Sequence, residues 1–319
     1  MRNAPVMDNQ SSDIEVVGLV KSFAEIVAVD HLTFSVRRGE IFGLVGPDGA
    51  GKTTTMRMLA GILAPDRGSV RVAGCDVVAN PEAVKTRMSY MPQRFGLYED
   101  LTVDENLRFY ADLFGVTRKA REERAGPLLG ACGMSQFHSR LAGNLSGGMK
   151  QKLGLVCALI HTPRVLLLDE PTNGVDPVSR REFWAMLYAL LGQGVTILNS
   201  TAYLDEAERC HRLALLHNGR LLFCDEPERL KARMPGAVLS FTSPAGRHLR
   251  DELRGAPGVT GTVLVGDAIH VFVDDGTRRL KEIQARLDAD GVEYGELAHV
   301  PPSIEDLFVA ATTGENEAA

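Results

Sequence analysis

The chain has 319 residues, with 45% hydrophobic and 24% charged residues and a formal net charge of -6. That composition excludes wholesale disorder, and the length calls for a main domain plus a smaller one. An acidic balance gives no support to a nucleic-acid partner, and no stretch approaches the run of about 20 apolar residues a membrane span requires. Residues 1–13 are polar and lack a signal-peptide core, so they read as a disordered start of a cytoplasmic chain. The five cysteines show no C-x-x-C pair and read as reduced, mostly buried thiols.

Residues 14–20 and 27–36 alternate apolar and polar positions, as strands of an antiparallel layer do. Between them, Phe23 is placed either to stack on a base or to fill the edge of the core. The apolar run 41–45 then leads into Gly46-Pro47-Asp48-Gly49-Ala50-Gly51-Lys52-Thr53-Thr54. This fits G-x-x-x-x-G-K-[ST], the loop whose backbone N–H groups cradle phosphates. Helical spacing of Met56, Leu59 and Leu63 supplies the following helix, whose N-terminus adds partial positive charge. In such a loop Lys52 reaches the β- and γ-phosphates and Thr53 ligates Mg²⁺.

A turn at residues 64–68 leads to a short strand at 69–72, and a second strand, 88–91, stops at Pro92. Gln93 therefore stands at a strand end, a neutral amide suited to transient contact with Mg²⁺. From 101 to 129 the pattern is helical, with Leu107, Tyr110, Leu113 and Phe114 on one face and the charged run 118–124 toward water. Leu145-Ser146-Gly147-Gly148-Met149-Lys150-Gln151 opens the next helix, offering a second set of free N–H donors with a hydroxyl beside them. The buried run 165–168 then ends in Asp169-Glu170-Pro171, adjacent carboxylates fit for a cation and a water nucleophile.

In order and spacing, the phosphate loop, Gln93, Leu145-Ser146-Gly147-Gly148-Met149-Lys150-Gln151, Leu168-Asp169-Glu170-Pro171 and Asn173-Gly174-Val175-Asp176-Pro177 resemble the nucleotide-binding subunit of an ATP-binding cassette (ABC) transporter. The resemblance implies an α/β P-loop NTPase cassette over residues 14–235, with a mixed sheet core and a helical subdomain at about 97–160. It also implies a head-to-tail dimer, each ATP being sandwiched between the phosphate loop of one subunit and Ser146, Gly147, Gly148 and Gln151 of the other. Phe23 matches the base-stacking aromatic, and Thr53, Gln93 and Asp169 match the Mg²⁺ residues. Glu170 matches the group that polarises the attacking water, with Lys52 and Gln93 beside it, and Asp176 lies on the loop that communicates across the dimer. The partners implied are a separate membrane permease, docked near residues 93–104, and a second cassette, identical or not. The place implied is the cytoplasmic face of the membrane.

Two positions depart from the family pattern. Asp48 stands where Asn is usual, and Ala202, in Ser200-Thr201-Ala202-Tyr203, stands where a switch histidine is expected. A methyl group can neither donate to a γ-phosphate nor accept from water, so the site either hydrolyses ATP slowly and pairs with a cassette that carries the histidine, or is kept active in a homodimer by Glu170.

Residues 213–221 form a final hairpin turning at Asn218-Gly219. Beyond residue 235 the pattern is strand 237–241, helix 245–254, hairpin 259–273, helix 277–289 and strand 292–300, an order that suggests a ferredoxin-like α+β lobe over 236–312. A closing helix from Pro302 resembles the ending of drug- and polysaccharide-exporting cassettes, and residues 313–319 read as a disordered tail.

Overall fold

A computed structural model describes residues 12–316. Chain contacts divide it into two units, Met1–Cys224 and Asp225–Ala319.

In the first unit β1 (Ser12–Phe23) and β2 (Ile26–Arg37) form a long antiparallel pair, followed by β3 (Ile41–Val45) and α1 (Lys52–Leu59). Next come β4 (Arg67–Val72), β5 (Cys75–Asp76), α2 (Pro81–Lys85) and β6 (Met88–Met91). A helical stretch holds α3 (Val103–Leu113), α4 (Arg118–Ala131) and α5 (Gly147–Leu159). The unit closes with β7 (Val165–Asp169), α6 (Pro177–Gly192), β8 (Thr196–Thr201), α7 (Leu204–Ala207), β9 (Arg212–His217) and β10 (Arg220–Asp225). One antiparallel sheet runs β2-β1-β4-β5, and a mixed sheet runs β10-β9-β3-β8-β7-β6, parallel from β9 to β6. Because β3 and β7 are apolar at nearly every position, both faces of the mixed sheet must be covered. One face meets α1 and the antiparallel sheet, with Phe34 stacked on Phe42 at 5.5 Å; the other meets α5 and α6 around Trp184. The β9–β10 turn has Asn218 at φ 47° and Gly219 at φ 76°, the paired positive values a two-residue hairpin needs.

The second unit contains α8 (Pro227–Lys231), β11 (Ala237–Thr242), α9 (Gly246–Leu253), β12 (Val259–Val265), β13 (Ala268–Val273), α10 (Gly276–Ala289), β14 (Ala298–Val300) and α11 (Ile304–Asn316). Its sheet order β12-β13-β11-β14, with every neighbour antiparallel, is the ferredoxin-like arrangement. Leu239, Phe241, Ile269, Val271 and Val273 pack on α9 and α10, while His270, on the opposite face of β13, meets Asp306 of α11 at 2.8 Å.

Several sequence expectations are corrected. The division falls at Cys224 rather than residue 235, because Asp225 pairs with Arg229 and Arg233 and α8 packs on α11. Asp13 is no part of a disordered start: it is 1% exposed within β1, accepts from Thr196 Oγ1 at 2.5 Å and pairs with Arg164. Ser12 likewise belongs to β1, and the rest of that expectation, residues 1–11, lies outside the described residues. The helical run 101–129 is two helices, broken at Gly115 (φ 67°) and restarted by the Thr117 cap; Leu113 at the break is 64% exposed rather than in the core. Strand 292–300 shrinks to β14, since residues 292–297 follow an irregular path. At the C-terminus the helix continues to Asn316, so of the expected tail only 317–319 fall outside the description.

Candidate nucleotide site

The carboxyl ends of β3, β8, β7 and β6 lie side by side, and these strand ends with the loops leaving them carry the phosphate loop, Ser200 to Ala202, Asp169–Glu170 and Gln93. This edge of a parallel sheet is where ligands bind in such folds. The glycines of the phosphate loop are sterically forced. A Cβ on Gly46 would sit 2.4 Å from Leu216 O, and one on Gly51, at φ 94°, would sit 2.4 Å from Ala28 O. Gly51 caps α1 without a side-chain hydrogen bond, so the first N–H groups of the helix remain available to an anion. Asp48 and Gly49 are exposed and Ala50 is buried, so the Asp48 carboxylate stands in water at the rim of the loop.

Lys52 is 4% exposed and its ammonium turns back on its own loop, donating to Gly46 O at 2.8 Å and Pro47 O at 3.0 Å. It also pairs with Glu170 Oε1 at 3.0 Å. Gln93 Nε2 donates to Glu170 Oε2 at 3.1 Å, and Asn173 Nδ2 reaches the same oxygen at 3.3 Å. Glu170 itself sits at φ 50°, a left-handed conformation costing on the order of 1–3 kcal/mol for a residue with a Cβ, held by its N–H to Ser200 O and Oγ.

The Asp169 carboxylate, 1% exposed, is met by three hydroxyls: Thr53 Oγ1 at 3.1 Å and Ser200 Oγ at 2.7 Å on Oδ1, and Tyr90 at 3.0 Å on Oδ2. Burial first, then the neighbouring Asp169 charge, pushes the Tyr90 phenol well above its ordinary range, so it stays a donor. Among the described residues there is no group of three or more His, Cys, Asp or Glu able to hold a metal ion. Mg²⁺ does not need one: it takes hard oxygen donors, often one carboxylate with phosphates and waters. Thr53 and Asp169, whose oxygens meet at 3.1 Å, are donors of that kind, and Gln93 would add an amide oxygen.

Phe23 lies at the end of β1 and is 48% exposed, so it does not fill the core; Lys21 Nζ is 5.7 Å from its ring centroid. The approach of Ala28 O to Gly51 brings this sheet to the rim of the phosphate loop. Ser146, Gly147, Gly148 and Gln151 are not joined to the cluster by any hydrogen bond or ion pair among the described residues. Ser146 caps α5, accepting from Met149 N at 3.3 Å, and nothing lies within 4 Å of a Cβ on Gly147. Gly148 has a different reason to be glycine: a Cβ there would sit 2.5 Å from Ser179 Oγ of α6. Asp176 caps α6 through Val178 N at 3.0 Å and Ser179 N at 2.9 Å, and the Ser179 hydrogen bonds hold its carboxyl below the usual range.

Ala202 is exposed just past the end of β8. Tyr203 follows, its ring under the Arg180 guanidinium at 4.2 Å and its hydroxyl 3.4 Å from Asn173 Oδ1. The sequence reading gave Tyr90, Ser200 and Asn173 no role at the site, although Ser200 and Asn173 lie inside segments it singled out and Tyr90 stands three residues before Gln93. Beneath them Glu206, fully buried, accepts from Thr172 Oγ1 at 2.7 Å and fixes the loop that carries Glu170.

Residues 29–173 match the family model described as ABC transporter. The chain is 46% identical over 303 residues to a probable multidrug ABC transporter ATP-binding protein, YbhF, of Escherichia coli (strain K12), covering 93% of this chain and 51% of that protein. It thus spans about half the length of that relative and of its Shigella flexneri counterpart. It is 40% identical over 298 residues to Nod factor export ATP-binding protein I of Burkholderia pseudomallei (strain K96243), covering 92% of this chain and 95% of that one. Among solved structures, an ATP binding subunit of an ABC transporter superposes with a TM-score of 0.63 at 33% identity, over 69% of this chain and 92% of that chain. A phosphate loop, an Asp169–Glu170 pair and a Ser146 helix end, joined to likeness along almost the whole chain, place this protein in the ABC transporter ATP-binding family.

Proposed function

We propose that this chain is the ATP-binding and ATP-hydrolysing subunit of an export system, energising a separate membrane permease through nucleotide-driven closure of a dimer. The observation that carries the reading is the cluster of Lys52, Thr53, Gln93, Asp169 and Glu170 at one sheet edge, with a second open helix end at Ser146 and Gly147 outside it. The names of the relatives, multidrug and Nod factor export ATP-binding proteins, support transport and its direction. No helix among the described residues is long and apolar enough to cross a membrane, in keeping with a peripheral subunit at the cytoplasmic face. Tyr98 and Phe109, packed edge to face at 4.6 Å and 47% and 38% exposed, give the surface after Gln93 an apolar patch for a permease to cover.

In this mechanism Lys52 leaves Gly46 O, Pro47 O and Glu170 for the phosphates of ATP. Its departure frees Glu170 to accept a hydrogen bond from the attacking water, while Gln93 and Asn173 keep the carboxylate oriented. Thr53, Gln93 and Asp169 would hold Mg²⁺, which when bound neutralises charge on the phosphates. Phe23 lies where a base could stack, and Ser146, Gly147, Gly148 and Gln151 would complete the nucleotide of a neighbouring subunit, with Asp176 on the connecting loop. ATP turnover by the purified chain, with Glu170→Gln as the inactive control, tests the reading; turnover unchanged by Glu170→Gln rejects it.

A second reading is a hydrolysis-impaired partner of a complete cassette, and Ala202 favours it. Its sign is ATP binding with slow turnover that Ala202→His raises by about 10²-fold or more. Ordinary turnover that Ala202→His leaves unchanged decides for the first reading.

A further inference from the structure

Of the three hydroxyls on Asp169, only Tyr90 among the described residues reaches Oδ2; Thr53 and Ser200 share Oδ1. Tyr90 stands on β6, in register with Leu167 of β7, so its side chain crosses from the neighbouring strand toward the strand end where Asp169 sits. Its ring is half-buried against the core beneath α1.

A carboxylate held through a single oxygen can still rotate about its Cβ–Cγ bond. Donors on both oxygens, from two different strands, fix its plane. Thr53 is the donor that a cation would draw away, which leaves Ser200 on one oxygen and Tyr90 on the other. We propose that Tyr90 is a positioning residue that fixes the Asp169 carboxylate for the divalent cation accompanying ATP. This rests on the reading of the cluster as an ATP–Mg²⁺ site. Partners that orient a metal-binding group from outside its ligand set commonly change metal affinity by about 10- to 100-fold when removed.

The test uses the full chain, wild type and Tyr90→Phe, in two measurements: affinity for ATP without divalent cation, and Mn²⁺ affinity of the ATP-saturated protein by electron paramagnetic resonance. The expected result is a loss of about 10-fold in Mn²⁺ affinity with cation-free ATP affinity unchanged. Mn²⁺ affinity within twofold of wild type overturns the proposal. So does a parallel loss of both affinities, the mark of a ring that only walls the site. Should Tyr90→Phe fail to fold, Tyr90→Met, which also lacks the hydroxyl, decides by the same pair of measurements, with the same Mn²⁺-specific loss expected and no change overturning the idea. A wild-type chain that binds no ATP at all rejects the underlying site reading, an outcome separate from the others.

Discussion

Lys52 and Glu170 form an ion pair at 3.0 Å with side chains 4% and 9% exposed, and replacing one member alone strands the other in a site with little water. At that separation the gross attraction is about 5 kcal/mol for an effective dielectric of about 20. Gln93 at 3.1 Å and Asn173 at 3.3 Å still serve Glu170 when the lysine is gone. The coupling that survives these compensations is about 2–4 kcal/mol, at or below the range for breaking a buried pair. Lys52→Met keeps most of the apolar stem, and Glu170→Gln keeps the shape of its partner. Each is expected to lower the stability of the first unit in the nucleotide-free protein, and the double variant to cost less than the sum of the two. The assay is urea unfolding followed by tryptophan fluorescence. Trp184 is the single tryptophan of the chain, is 1% exposed and lies on α6, so its signal reports the first unit. Additivity within about 0.5 kcal/mol would falsify the claim that the two charges hold each other in the empty site.

Three further outcomes are expected. Gly148→Ala drives a methyl against Ser179 and costs about 1–3 kcal/mol, part of it recovered by Ser179→Gly, whereas Gly147→Ala stays within about 0.5 kcal/mol; urea midpoints compare the three. Burial holds His161 neutral below its ordinary 6.5, stacked on Phe114 at 3.9 Å with Nε2 3.2 Å from Met88 O. The unfolded chain therefore takes up the proton first: this stability is present above pH 6.5 and is lost as pH falls, by up to about 1.4 kcal/mol per unit. His161→Phe should flatten the pH dependence of the Trp184 transition by that amount. Cys132, whose thiol burial pushes up to about 12, and the buried Cys157 and Cys210 should resist maleimide in the native protein, while the less buried Cys75 labels; equal labelling of all four contradicts the packing described.

The separate pieces of the candidate site were legible in the sequence because each is short and local. Strand, glycine loop and helix follow one another at residues 41–59, and the Asn218-Gly219 turn and the Ser146 cap are signals of backbone geometry carried by neighbouring residues. The alternation of strands and helices after residue 236 likewise fixed the order of the second unit. What only tertiary structure decided is which of these pieces touch. Thr53 and Asp169 lie 116 residues apart and Tyr90 and Asp169 79 apart; no local pattern encodes those meetings, since they depend on β3, β8, β7 and β6 lying edge to edge. The same holds for Gly148, whose second constraint, the close crossing of α5 and α6, no local pattern in the sequence shows. Sequence set the conformation each segment prefers; the burial of both faces of one sheet chose the strand order, and with it the partners of every side chain at the site.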